Sequence, residues 1–197
     1  DKTMDNIMFC SCGRRATLLK DFRKSMNGCG KIVATDMSPV APALFMADET
    51  YLVPRIDDPS YYEHVLDICE KSKVKAITTL IDPEIEILAK NREDLLSKGI
   101  LPLCPADWTA RLCYDKYEMF KYLHDKGVRT ILTYNSLEGF KNGLEKGKIS
   151  FPVFMKPING SGSVGIGKVN SWEEAEAKFK DGKFTYIIQE LMTGGDC

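Results

Sequence analysis

Residues 151–167 read FPVFMKPINGSGSVGIG, and this stretch decides how the rest of the chain divides. A short apolar run, Phe151–Lys156, has the character of a strand and ends in a lysine. The loop that follows, Asn159–Gly167, holds four glycines and two serines. Glycine lets backbone N–H groups converge on an anion with no Cβ in the way. Serine hydroxyls add donors, and a lysine just upstream supplies a point charge suited to phosphate. Strand side chains two apart share a face, which puts Phe154 and Lys156 together. An aromatic ring beside such a lysine suits a nucleotide, with the base at one end and the phosphates at the other. The pattern is not G-x-x-x-x-G-K-[ST], because the lysine precedes the glycines. The loop alone also suits a solvated hairpin; Lys156 and Phe154 favour the anion-binding reading.

Around this stretch the pattern is α+β. Asp115–Lys126 reads as a helix with Phe120 and Leu123 as core positions. Ile131–Tyr134 reads as a strand and Leu137–Lys146 as a helix. Ser171 caps a helix over Trp172–Lys180, with Glu174 completing a capping box. Tyr186–Met192 is the last strand.

The first hundred residues have another rhythm. Strands at Ile7–Ser11, Lys31–Thr35, Thr50–Val53, Lys75–Ile81 and Ile100–Cys104 alternate with helices at Arg14–Asn27, Tyr61–Lys73 and from Asp82 through Leu96. Gly28 is expected to close the first helix, and Asp82 to cap the third, with Pro83 at its first position. Strands spaced by helices of this length imply βαβ units and a parallel sheet. The expected organisation is an open α/β domain over 4–107 and an α+β region over 108–197.

The composition narrows the function. With 27 Lys plus Arg against 28 Asp plus Glu, the net charge is −1. A clustered basic excess for nucleic acid is missing. No apolar run reaches the ~18 residues of a membrane helix. Seven scattered cysteines suit a reducing cytoplasmic compartment. Cys10 and Cys12 form a C-x-C, but with two histidines in the chain they read as small buried side chains rather than zinc ligands.

A second anion site is expected where the first strand turns into the first helix. Gly13, Arg14 and Arg15 sit there, and a helix N-terminus with two arginines attracts a carboxylate or phosphate. Asp36 ends the second strand, where dinucleotide-binding folds place a ribose carboxylate, and Asp82 follows the fourth strand near the same edge. Residues 10–15, CSCGRR, lack G-x-G-x-x-G, which weakens a nicotinamide-dependent oxidoreductase without excluding it.

Taken in order, these residues resemble the ATP-grasp superfamily, which includes biotin carboxylase, D-alanine–D-alanine ligase and the large subunit of carbamoyl-phosphate synthase. The likeness rests on the 151–167 stretch, on Asp115-Lys116 opening a helix, on residues 187–191 (IIQEL), and on the α/β region ahead of them. Lys116 precedes Lys156 by 40 residues, and Glu190 follows it by 34. The turn at Gly13-Arg14-Arg15, residues 35–39 (TDMSP) and residues 51–54 (YLVP) resemble carbamoyl-phosphate-synthase-like proteins in particular. The fold implied is a Rossmann-like pre-ATP-grasp domain with a parallel sheet, followed by the α+β first lobe of an ATP-grasp domain.

The resemblance also implies roles. Lys116 and Lys156 would contact ATP phosphates, under a flap of Gly160, Ser161, Gly162, Ser163 and Gly165. Phe154 would wall the adenine, Glu190 and Leu191 would hold its edge (Glu190 by side chain or carbonyl), and Asp196 would reach the ribose. Mg²⁺ carboxylates and the groups that polarise the transferred phosphate would lie beyond residue 197, so no catalytic residue is assigned and 1–197 alone is not expected to turn over ATP. The implied reaction activates a carboxylate as an acyl-phosphate for attack by an amine or similar nucleophile. Its partners are small molecules, and a homodimer is left open. A nucleotide-binding regulatory module is the other reading that stays open.

Overall fold

A computed structural model describes residues 5–160 and 162–192. The chain divides into two compact units, Asp1–Ala110 and Arg111–Cys197.

The first unit is built on a five-stranded parallel sheet in the order β3-β2-β1-β4-β5. Its strands are β1 (Asn6–Cys10), β2 (Ile32–Asp36), β3 (Glu49–Leu52), β4 (Val74–Thr79) and β5 (Leu101–Pro102). Every residue of β1 and β2 is buried, because helices cover both faces of a parallel sheet. Alternation along β1 feeds two cores. Met8 and Cys10 pack with residues of α2 (Tyr61–Lys71), α3 (Asp82–Lys90) and α4 (Arg92–Ser97). Ile7 and Phe9 pack with α1 (Ala16–Met26) and a 3-10 turn over Pro42–Met46. Phe9 meets Phe22 edge-on, with ring centroids 4.8 Å apart. The chain order reverses across β1, which opens a crevice at the carboxyl ends of the strands.

Several local expectations are corrected. Asn27, not Gly28, caps α1: it takes φ 46° and bonds back to Arg23. Asparagine tolerates this left-handed conformation better than most residues. Asp82 is not a cap but the first residue of α3, which extended Ile81 precedes. The third helix breaks at Asn91, whose side chain donates to the Ile87 carbonyl at 2.9 Å and competes with the helical ladder. The 3-10 turn and α5 (Asp107–Tyr114) are elements that the sequence does not mark. Cys10, Cys12 and Cys69 are buried, and burial pushes the Cys12 thiol up to about 11 and the Cys69 thiol to about 12. Inert thiols of this kind act as small apolar side chains.

The second unit carries an antiparallel sheet in the order β6-β9-β7-β8. Its elements are α6 (Lys116–Asp125), β6 (Thr133–Tyr134), α7 (Leu137–Glu145), β7 (Val153–Pro157), β8 (Gly167–Val169), α8 (Trp172–Lys180) and β9 (Tyr186–Glu190). One face packs on α7 and α8 through Val153, Met155, Val169, Tyr186 and Ile188 against Phe140 and Ala175. Trp172 stacks on Phe140, with ring centroids 6.0 Å apart. Ser171 accepts from the Glu174 N–H as expected, while the Glu174 carboxylate reaches the Asn170 N–H rather than that of Ser171. Phe120 and Leu123 are only partly buried. The last strand stops at Glu190.

Candidate functional site

The face of the second sheet away from α7 and α8 carries the expected pair. Along β7, Val153, Met155 and Pro157 are buried while Phe154 and Lys156 are half-buried on the other face. The antiparallel register adds two side chains that spacing alone did not show. Gln189 of β9 and Lys168 of β8 both lie directly opposite Phe154, on its face. Gln189 is held by donating to the Thr133 hydroxyl at 2.7 Å.

Lys116 is brought to the same place by backbone pairing. Asp115 caps α6 by accepting from the N–H groups of Tyr117 and Glu118, each at 2.9 Å. The Lys116 N–H donates to the Ile158 carbonyl at 3.0 Å, pinning the start of α6 beside the segment that leaves β7. The Lys116 ammonium then reaches the carbonyls of Ile158 at 3.3 Å and Gly160 at 3.0 Å. Burial, and then the Lys116 charge, push the Lys156 ammonium below its ordinary pKa. Among the described residues no carboxylate pairs with Lys156. Two cations thus stand at the mouth of a glycine loop.

The loop needs its glycines for conformation. Gly160, Gly162 and Gly165 have φ of 102°, 72° and 75°, and Ser163 joins them at 59°. At Gly165 space matters too: a Cβ would lie 2.8 Å from the Phe184 ring. Ser161 and Asp196, expected at the phosphates and the ribose, lie outside the described residues.

Glu190 is placed differently from one of its two expected modes. It pairs with Val153, so its side chain lies on the helix-covered face, opposite Lys156. Its main chain and that of Leu191 remain at the strand end. Both residues border an open pocket of about 350 Å³ that residues 147–152 also line.

The first unit has its own cleft, about 340 Å³, at the carboxyl edge of the parallel sheet. Gly13, Arg15 and Asp36 border it, with Met37, Val53 and Ile81 as apolar wall. Arg14 and Asp82 are exposed and lie outside this lining, so the structure does not bring them to the cleft. Asp36 is tied up locally. Its two oxygens accept from the N–H groups of Gly13 at 2.8 Å and Ser38 at 2.9 Å, joining the turn after β1 to the loop after β2. Gly13 stands at φ 51° in that turn.

Glu84 is the group the sequence reading missed. An acid in the first turn of a helix normally faces water, yet Glu84 is fully buried. Its two oxygens accept from the hydroxyls of Tyr61 and Thr79. Burial pushes its carboxyl up to about 7, against the opposing effect of a Ser11 hydrogen bond. The one available signal was the helix start itself: residue 84 falls on the same helix face as core residue Leu88.

Comparison with known proteins agrees with this architecture. Residues 7–103 match the family described as PylC-like, N-terminal domain. The biotin carboxylase domain of Hydrogenobacter thermophilus 2-oxoglutarate carboxylase, solved as a dimer with MgADP, ADP and bicarbonate, superposes with a TM-score of 0.72. It is 18% identical, and the match covers 97% of this chain and 45% of that one. The N5-carboxyaminoimidazole ribonucleotide synthetase of Thermotoga maritima superposes with a TM-score of 0.69 at 20% identity, covering 95% of this chain and 46% of that one. A D-alanine–D-alanine ligase of Corynebacterium jeikeium is 54% identical over 33 residues, which are 17% of this chain and 9% of the relative.

At these identities the structural likeness is one of fold. The chain has the fold of the N-terminal part of these structures: a Rossmann-like domain with a parallel sheet followed by an α+β lobe. It spans about half the length of the structures it resembles.

Proposed function

We propose that this chain is the nucleotide-binding front of an ATP-grasp ligase that joins a carboxylate to an amine or similar nucleophile through an acyl-phosphate. The observation that carries the proposal is Lys156, half-buried beside a second lysine, without a carboxylate partner among the described residues, at the mouth of a loop of left-handed backbone. An anion with several oxygens relieves that repulsion and satisfies the loop. ATP fits, because Phe154 on the same strand face supplies an apolar wall for a base about one strand step from the phosphate charge.

In this reading Lys116 and Lys156 hold the phosphates, and Gly160, Ser161, Gly162, Ser163 and Gly165 fold over them. Phe154 walls the adenine. The main chain of Glu190 and Leu191 takes its edge, since the Glu190 side chain faces the other way. Asp196 is assigned to the ribose. Among the described residues no three acidic, Cys or His side chains converge. Mg²⁺ would be held chiefly by the phosphates, where it would neutralise charge on the transferred phosphoryl group.

The division into a pre-ATP-grasp domain over 4–107 and a first lobe from 108 belongs to the same proposal. The cleft at Gly13, Arg15 and Asp36 would receive an anionic group of a small-molecule substrate. The proteins it resembles include carboxylases and amino-acid ligases, as their names state. The likeness to carbamoyl-phosphate-synthase-like proteins is retained for the Gly13-Arg14-Arg15 turn and its neighbours, with a single ATP-grasp unit. A cytoplasmic location completes the reading.

The test is a thermal-shift series with ATP, ADP, AMP and NADH, with and without Mg²⁺, on the chain and on Lys156→Ala. Stabilisation by ATP or ADP that is lost in the variant supports the reading. Stabilisation by NADH alone overturns it.

A further inference from the structure

The cleft of the first unit has a hidden support. Three of its walls lead back to one carboxyl. Ser11 lines the cleft at φ 46°, and its side chain acts to lower the pKa of Glu84. Ile81 lines it as well; its N–H donates to the Thr79 hydroxyl at 3.3 Å, and that hydroxyl donates to Glu84. The third wall, residues 53–56, runs into α2, whose first residue, Tyr61, donates to the other Glu84 oxygen. Burying an acid is costly unless it is hydrogen-bonded, and the Tyr61 and Thr79 hydroxyls supply those bonds here.

We propose that Glu84 is the positioning residue of this cleft, fixing the Ser11 turn, Ile81 and α2 around one carboxyl, and that the proton it carries sets how tightly the cleft takes an anion. This rests on the reading of the cleft as an anion site. The groups that face Glu84 are Tyr61 from α2, Thr79 from β4, Cys10 and Ser11 with Cys12 from β1 and its turn, and Asp36 from β2. The two thiols are held protonated by burial. Glu84 is the group of this set whose raised carboxyl brings its charge change to neutral pH. When it ionises, it adds a negative charge behind the anion's seat. The sign follows: the cleft holds anions more tightly on the acid side of that change and more weakly on the alkaline side.

The experiment uses sulfate, whose charge is constant over this range. ¹H–¹⁵N spectra follow the amides of Ser11, Gly13 and Ile81 during sulfate titrations at several pH values. The proteins are the wild-type chain, Glu84→Gln and Tyr61→Phe. Wild type is expected to bind about three- to tenfold more weakly at about pH 8.5 than at about pH 5.5, from one added like charge behind the cleft. Glu84→Gln is expected to lose that dependence. Tyr61→Phe, which removes a donor to the ionised form and keeps the ring, is expected to move the midpoint upward. A pH dependence that survives in Glu84→Gln overturns the role of Glu84 and leaves the cleft reading standing. No saturable shift of the three amides in wild type overturns the cleft reading and this inference with it. Should Glu84→Gln fail to fold, an unchanged midpoint in Tyr61→Phe is refutation enough.

Discussion

Replacing Lys156 by methionine separates binding from folding, because the two effects have opposite signs. The Lys156 ammonium is disfavoured where it stands: burial and the Lys116 charge both lower its pKa. A base depressed in this way weakens the fold while it is charged, and stability recovers as pH rises through its folded pKa. Methionine keeps the stem and removes the charge, so the unliganded variant is expected to melt no lower than wild type. Nucleotide binding moves the other way. A hydrogen bond to a charged group contributes about 1.5–3 kcal/mol, or roughly 10- to 150-fold in Kd. Lys156 is only half out of water, which screens the pair and favours the lower part of that range, about 10- to 50-fold. Isothermal titration with ADP and Mg²⁺, beside a thermal melt of each unliganded protein, reads both quantities. At an ADP concentration a hundredfold above the wild-type Kd, ligand stabilisation of about 2.7 kcal/mol falls to about 1 kcal/mol when Kd rises thirtyfold. An ADP affinity within twofold of wild type, or an unliganded melt several degrees lower, would refute the reasoning.

Three other outcomes are expected. Gly165→Ala should cost about 2 kcal/mol in urea unfolding, more than Gly160→Ala, since both carry left-handed φ but only residue 165 faces the Phe184 ring; equal costs would contradict the packing argument. The raised Glu84 carboxyl binds its proton more tightly folded than unfolded, so wild-type stability should fall between about pH 4.5 and 7, by roughly 3 kcal/mol through this group. Urea titrations across that range should show a flatter profile for Glu84→Gln. Asp36→Asn, which turns an N–H donor toward a backbone N–H in place of one acceptor, should lose about 2–3 kcal/mol, read by chemical denaturation at neutral pH.

The chemistry-bearing residues were legible wherever their relation is local. Lys156 and Phe154 share a face because strand side chains repeat every two residues. Gly160, Gly162 and Gly165 announce left-handed backbone wherever they fall. The βαβ alternation of the first unit was visible for the same reason: apolar repeats of two and of three to four residues differ within a single window. Asn27 and Asp82 show the limit of this, since cap positions shift by a residue when a neighbour can take the same conformation.

By itself, then, the amino-acid order determined the class of fold, the glycine loop of left-handed backbone, and the lysine placed beside it. Tertiary structure decided the rest. Antiparallel register, not spacing, put Gln189 and Lys168 opposite Phe154 and turned the Glu190 side chain to the covered face. Pairing of Lys116 with Ile158, 42 residues apart, brought the second cation to the loop. Packing of α2 and α3 on the sheet buried Glu84 among hydroxyls supplied from two other segments. Each of these depends on which distant segments become neighbours, and burial by a distant segment is what changes a side chain's charge, partners and use.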